Sequence, residues 1–379
     1  MRIVIAPDSF KECKSASQVA LAIAEGVKRI LTDADIISIP MADGGEGTVE
    51  AMVIATGGRI VPAETVDALN RPIQSFYGVL GDGKTAVVEM AAASGIELLK
   101  PEERNPLLTS TFGTGLLLKA AMEAGFTKII IGIGGSATND GGAGMAQALG
   151  FGLLDENGHP IKCGGGSLNE LHSIDRSTIH PLLGKVNITI ASDVRNPLLG
   201  ASGATRIYGP QKGATPGMLE ILEANLGHFS QILRREFGVN YPELPGAGAA
   251  GGLGTGLMAF CNAEMGSGFE LIKEHTNLEE HISMASLVFT AEGKIDSQTA
   301  YGKTVSGVAQ LAKKHRVPVI ALAAIVVDDL TELYDQGITS VFAIGDRPMS
   351  SKESKARTAE LLAATSERIM RLYAGFKSY

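Results

Sequence analysis

Short apolar runs alternate with helically spaced segments at both ends of this chain. "RIVIA" (residues 2–6) has the unbroken hydrophobicity of a strand covered on both faces. Val19, Ile23, Val27 and Ile30 then share one side of a helix, with Ser15 and Gln18 as a capping box at its start. "IISIP" (36–40) predicts a second strand, and "GEGTVEAMVIAT" (45–56) a helix closed by Gly57 and Gly58. The same grammar returns near the other end. "SLVFTA" (286–291), a helix from about 303 to 314, "VPVIALAAIV" (317–326), a helix near 328–336, "SVFAI" (340–344) and a long helix over roughly 350–374 alternate strand with helix. Both ends therefore predict one parallel, doubly wound α/β domain.

The middle of the chain follows another pattern. "GGRIVPAETVDAL", "PIQSFYGVLGD" and "KTAVVEMAAASG" predict successive strands, with turns at Asn70-Arg71-Pro72 and Gly81-Asp82-Gly83. A helix over 113–124, the strand "KIIIGI" and a helix opened by "NDGGAGMAQALG" follow. The expected organisation is one domain made of residues 1–62 and 282–379, with residues 63–281 inserted in it as a second α/β domain with a mixed sheet. Two consecutive domains cut near residue 200 are the alternative. A length of 379 residues agrees with two cores.

Composition removes several classes of function. A net charge of −8, no tryptophan and 5% aromatic residues leave neither a basic surface nor stacking platforms for nucleic acid. The longest apolar run, "VIALAAIVV" (319–327), is too short to span a bilayer, and "MRIVIAPDSFK" lacks the apolar core of a signal peptide. Cys13, Cys163 and Cys261 stand far apart without metal-ligand spacing, as expected of free thiols in a cytoplasmic protein.

Glycine is what stands out. "GIGGSATNDGGAG" (132–144) follows an apolar run, and Gly132, Gly134 and Ala137 fit the G-x-G-x-x-A pattern of dinucleotide sites. The pattern is cheap in a chain with 47 glycines: Gly246, Gly248 and Gly251 match it too, after "YPELP", which is no strand. "GKT" (302–304) ends like a phosphate-binding P-loop, but the first glycine of that motif falls on Ser297. The stronger signal is a family of strand-end loops that join glycine to Asp, Asn, Lys, Ser or Thr: "PDSFK", "MADGGEGT", "GGSATNDGG", "SDVRNPL" and "EGKIDSQT". Glycines there let backbone N–H groups approach phosphate oxygens. Asp8, Asp43, Glu46, Asp140, Asp193, Glu292 and Asp296 would repel a phosphate unless Mg²⁺ lay between. Lys11, Lys212, Lys294 and Lys303 would neutralise a phosphoryl group in transfer. Helix capping by Ser15, Asp43 and Asp140 is the plainer reading of those residues.

The blocks "IAPDSFK", "MADGGEGT", "GIGGSATNDGGAGMAQALG", "SDVRNPLLGASGATRIYGPQKGA", "PGAGAAGGLGTG" and "AEGKIDSQTAYGKTVSGVA" together resemble the bacterial type 1 glycerate kinases over essentially the whole chain. The chain departs from many of them at Glu12, Cys13 and Lys14. The resemblance implies a flavodoxin-like domain interrupted by an inserted α/β domain, and phosphorylation of D-glycerate by ATP with Mg²⁺, 2-phosphoglycerate being favoured over 3-phosphoglycerate. It does not assign roles to residues. Our reading sets glycerate in a cleft between the domains, gripped by Lys11, Ser9 and Arg195. Asp193 is the candidate base, with Asp43 as its rival. Asp8, Ser136, Thr138, Asn139 and Asp140 complete the substrate side, Glu292 and Asp296 are the candidate Mg²⁺ ligands, and Gly293, Lys294, Lys303 and Thr304 lie near the nucleotide. A homodimer is left open. The rival function is an NAD-dependent dehydrogenase of a small hydroxy acid, which would use the glycine loop but finds no histidine in any strand-end loop. Titrating NADH with the protein should leave the nicotinamide fluorescence unchanged; saturable enhancement would favour the dehydrogenase.

Overall fold

The computed structural model describes all residues except 11, 12, 43, 303, 328, 378 and 379. In chain order its strands are β1 (Arg2–Ile5), β2 (Asp35–Ser38), β3 (Arg59–Val66), β4 (Pro72–Val79), β5 (Thr85–Glu89), β6 (Lys128–Gly132), β7 (Gly152–Leu154), β8 (Ser173–Asp175), β9 (Asn187–Ala191), β10 (Glu264–Gly266), β11 (Leu287–Ile295), β12 (Val319–Val326) and β13 (Ser340–Ala343). Two compact units are built from them. The first comprises residues 1–42, 50–57 and 269–379, and the second residues 43–49 and 58–268.

The first unit is a five-stranded sheet in the order β13-β12-β11-β1-β2, parallel throughout. Read from β2, this is the 2-1-3-4-5 winding of flavodoxin-like folds. Ile3, Ile5, Leu287, Phe289 and Leu322 meet the apolar sides of two helices, Ala16–Lys28 and Ser351–Lys377. Val4 and Val288, pointing the other way, are equally buried. The helix Thr304–Lys314, with Val305, Val308, Ala309 and Ala312 buried, packs on β11 and β12. Two covered faces explain why these strands read as unbroken apolar runs. The first helix is capped as its sequence predicts: the Ser15 side chain accepts from the Gln18 N–H, and the Gln18 side chain accepts from the Ser15 N–H.

The second unit carries a mixed six-stranded sheet, β10-β9-β6-β5-β4-β3. β3, β4 and β5 form an antiparallel meander in register from Arg59↔Val79 to Val66↔Pro72, turning where Asn70 takes a positive φ of 60°. β5, β6, β9 and β10 are parallel, so their carboxyl ends lie on one edge. One expectation needs correcting. The sequence predicts "EGKI" as part of a loop, yet β11 runs on to Ile295 because Lys294 and Ile295 keep pairing with Ile325 and Val326 of β12.

Gly26 lies where the helices Ala16–Lys28 and Ser351–Lys377 pack together: a Cβ there would lie 2.1 Å from the Ala363 carbonyl oxygen. Gly26→Val should therefore cost about 1–3 kcal/mol through overpacking, read as a lower unfolding temperature in calorimetry.

Candidate functional site

The carboxyl ends of β5, β6 and β9 share one visitor, the loop that contains the first D-G-G-x-G motif. The Gly134 N–H donates to the Gly44 carbonyl at 2.8 Å. A Cβ on Gly134 would lie 2.5 Å from the Gly45 Cα, and one on Gly44 would lie 2.0 Å from the Ala191 carbonyl oxygen. The contact is backbone on backbone, and only glycine permits it. Glu89, at the end of β5, accepts from the Gly47 N–H at 3.0 Å and the Val49 N–H at 3.1 Å. Burial pushes its carboxyl up to about 7 despite those two donors. Glu46 is pushed up as well, by burial first and then by Glu97, with which it shares a hydrogen bond. Glu89 and Glu97 were missed in the sequence; the one signal was a carboxylate ending the otherwise apolar "TAVVE".

Behind this edge lies a buried polar cluster. Asp140 is fully buried and accepts from four donors: the Thr111 N–H and hydroxyl and the N–H groups of Gly142 and Gly144. It ties the start of the helix Ala143–Ala148 to the loop before Phe112, although Gly142 and not Asp140 occupies the N-cap position expected for it. Burial raises its carboxyl, against the pull of those donors. Asn139 donates to the Thr205 hydroxyl at 3.1 Å, while Asn139 Oδ1 and Thr138 Oγ1 are buried without a hydrogen-bond partner. Lys212, just 1% exposed, sends its ammonium to Ser136 Oγ at 2.5 Å and to the Thr138 carbonyl at 2.6 Å. Burial pushes this lysine down to about 7, against the opposing effect of Asp140. The structure thus brings Ser136, Thr138, Asn139 and Asp140 together and adds Lys212. Lys212 is one of the four lysines expected beside a phosphoryl group, and the structure buries it against Ser136 and the Thr138 carbonyl.

The other candidates belong to other elements, and each is described within its own unit. Asp193 is half-buried and Arg195 exposed, both beyond β9, where the Ser192 N–H donates to the Gly266 carbonyl. In the first unit, Asp8 follows β1; its N–H donates to the Ala291 carbonyl, and its carboxylate accepts from the Ser9 N–H at 2.6 Å. Glu292, Gly293 and Lys294 lie on β11. Asp296 follows that strand and pairs with Lys294 at 2.7 Å while accepting from the Gln298 N–H at 2.9 Å. The Lys294 ammonium therefore holds the Asp296 carboxyl below its ordinary range. Thr304 is the buried first residue of its helix. Lys11, Asp43 and Lys303 lie outside the described residues.

As a cage for Mg²⁺ the donor set is incomplete. Among the described residues no three His, Cys, Asp or Glu side chains converge to hold a metal, and both oxygens of Asp296 are engaged. Mg²⁺ fits only as an ion bound largely by phosphate oxygens, its usual state beside nucleotides. Among the described residues no helix is long and apolar enough to cross a membrane.

The charge on Glu89 gives this site a pH signature. Its folded carboxyl titrates above the unfolded value of 4.5, so the folded chain holds the proton more tightly and stability falls as pH rises from about 4.5 through about 7. The shift amounts to about 3 kcal/mol. Glu89→Gln should remove this loss, so the variant gains stability relative to the parent between pH 5 and 8 in urea melts.

Comparison with known proteins agrees with this architecture. The family model described as "Glycerate kinase family" matches residues 3–374. The chain is 53% identical over 344 residues to a protein named Glycerate 2-kinase from Escherichia coli (strain K12), covering 91% of this chain and 90% of that one. It is 47% identical to the Glycerate kinase of Bacillus subtilis (strain 168), covering 97% of each. A crystal structure of a protein described as glycerate kinase 2 from Salmonella typhimurium LT2 covers 100% of both chains, with a TM-score of 0.88 and 45% identity. Fold, motifs and relatives converge on one conclusion: this chain belongs to the glycerate kinase family.

Proposed function

We propose that this chain transfers the γ-phosphoryl group of ATP to the 2-hydroxyl of D-glycerate, releasing ADP and 2-phosphoglycerate. The observation that carries the reaction is the family match along residues 3–374, and the choice of the 2-hydroxyl leans on the relative named Glycerate 2-kinase. The glycine-lined strand ends support it, because backbone approach and a shortage of side chains suit a small, heavily charged substrate.

The roles follow from chemistry. Glycerate brings a carboxylate and two hydroxyls, so it requires cations at one end and a proton acceptor at the other. Lys11, Ser9 and Arg195 supply the grip, with Asp8 fixing the Ser9 backbone. Asp193 takes the proton of the accepting hydroxyl, with Asp43 as its rival, as that oxygen forms a bond to phosphorus and the bond to the ADP oxygen breaks. Lys294, Lys303 and Thr304 sit near the nucleotide phosphates, approached through Gly293. Mg²⁺, arriving with the nucleotide, would be met by Glu292 and Asp296 and would neutralise phosphate charge. For Asp296 that means exchanging its contact with Lys294.

Incubation with ATP and D-glycerate should yield a product that enolase consumes without added phosphoglycerate mutase. A signal that requires the mutase would move the phosphate to O3. Asp193→Asn should lower kcat by at least about 100-fold; near-normal turnover would remove Asp193 from the role of base.

A further inference from the structure

Lys212 is an expensive residue to keep where it is. A buried ammonium gives up its hydration, and here the nearest carboxylate, Asp140, is already served by four other donors. If the only task were to tie the 134–140 loop together, a neutral donor would do it at lower cost. The ammonium instead lies behind the least deeply buried polar side chain of the cluster, and the loop becomes exposed at the neighbouring Gly135. Ser136 is 7% exposed, whereas Thr138, Asn139 and Asp140 are 0% exposed. Because Ser136 Oγ accepts from Lys212, its own O–H is turned away from the lysine. Among the described residues that O–H has no acceptor. The cluster is also not closed on itself, since Thr138 Oγ1 and Asn139 Oδ1 are buried and unpartnered beside it.

We propose that Lys212 is a positioning residue that aims the Ser136 hydroxyl as a charge-backed donor to the carboxylate of the substrate, making the pair a determinant of specificity for hydroxy acids. This rests on the reading of the chain as a kinase of D-glycerate. A hydroxyl that accepts from an ammonium becomes a stronger donor, and the positive field behind it favours an anion over a neutral polyol. The charged group shown to act on the pair is Asp140, in the same loop as Ser136; the backbone of Arg104 lies against Gly213, next to Lys212. With the lysine poised to lose its proton near neutral pH, binding of the carboxylate and protonation of Lys212 are linked.

The test uses Lys212→Met, which keeps length without charge, Ser136→Ala, and the double variant. KM for D-glycerate and for ATP are measured separately from about pH 6 to about pH 9. Each single variant should raise KM for glycerate about 10-fold or more, with KM for ATP within about twofold. The double variant should be no worse than Lys212→Met alone, since the two act as one unit. In the parent protein KM for glycerate should climb on the alkaline side, and that climb should vanish in Lys212→Met. A glycerate KM in Ser136→Ala within about twofold of the parent, additive losses, equal losses for ATP, or a flat parent profile would each overturn the proposal. If Lys212→Met does not fold, Ser136→Ala and the parent profile decide it. A parent that turns over glycerate while both variants match it overturns this inference alone; a parent inactive on glycerate overturns the underlying reading with it.

Discussion

The close meeting of glycine backbones at the end of β6 is the constraint on which the second unit's site depends. Gly44 and Gly45 lie directly on Gly134 and against the Ala191 carbonyl, at separations where any Cβ would overlap backbone. Without side chains in between, the 44–47 loop and the start of the helix after it come near enough for their amides to reach Glu89 and for the Gly44 carbonyl to accept from Gly134. The loop then spans the ends of three parallel strands, β5, β6 and β9, and ties their termini together. Such backbone-built surfaces also present N–H groups at close range, which suits charged, compact ligands.

Around that contact the unit buries charge of both signs, and the two signs respond to pH in opposite directions. Glu89 is held up to about 7, so rising pH works against the folded state. Lys212 is held down to about 7, so the folded chain resists its protonation and rising pH favours folding up to the unfolded lysine range. Desolvation is the first cause in both cases. A protein built for stability alone would avoid either group. Buried titratable groups of this kind, gathered beside a glycine loop, mark this strand end as the candidate site.

Much of this was legible one residue at a time. The apolar runs that became β1 and β11 announced strands covered on both faces, and the Ser15 and Gln18 pair announced the first helix start. Asn70 sat where a left-handed turn residue was required between β3 and β4. Local rules suffice there because the physical cause, a cap or a turn dihedral or a covered face, lies within a few residues of the signal. "EGKI" misled because strand ends are set by a partner: β12 kept offering pairing to residues that, alone, look like a turn.

By itself the sequence determined the element types, the parallel winding and, through six ordered glycine-rich blocks, membership of the glycerate kinase family. Tertiary structure alone decided which polar residues are buried and which face the surface. Asp140 and Ser136 belong to one loop and look equally available in the sequence, yet one is sealed under four backbone and hydroxyl donors and the other accepts from a buried ammonium. Lys212 stood in the sequence as one of four candidate phosphoryl-neutralising lysines, and only folding brought it to Ser136, 76 positions earlier in the chain. Burial and pairing are properties of what the rest of the chain places around a group, and desolvation has no signature at the residue that suffers it.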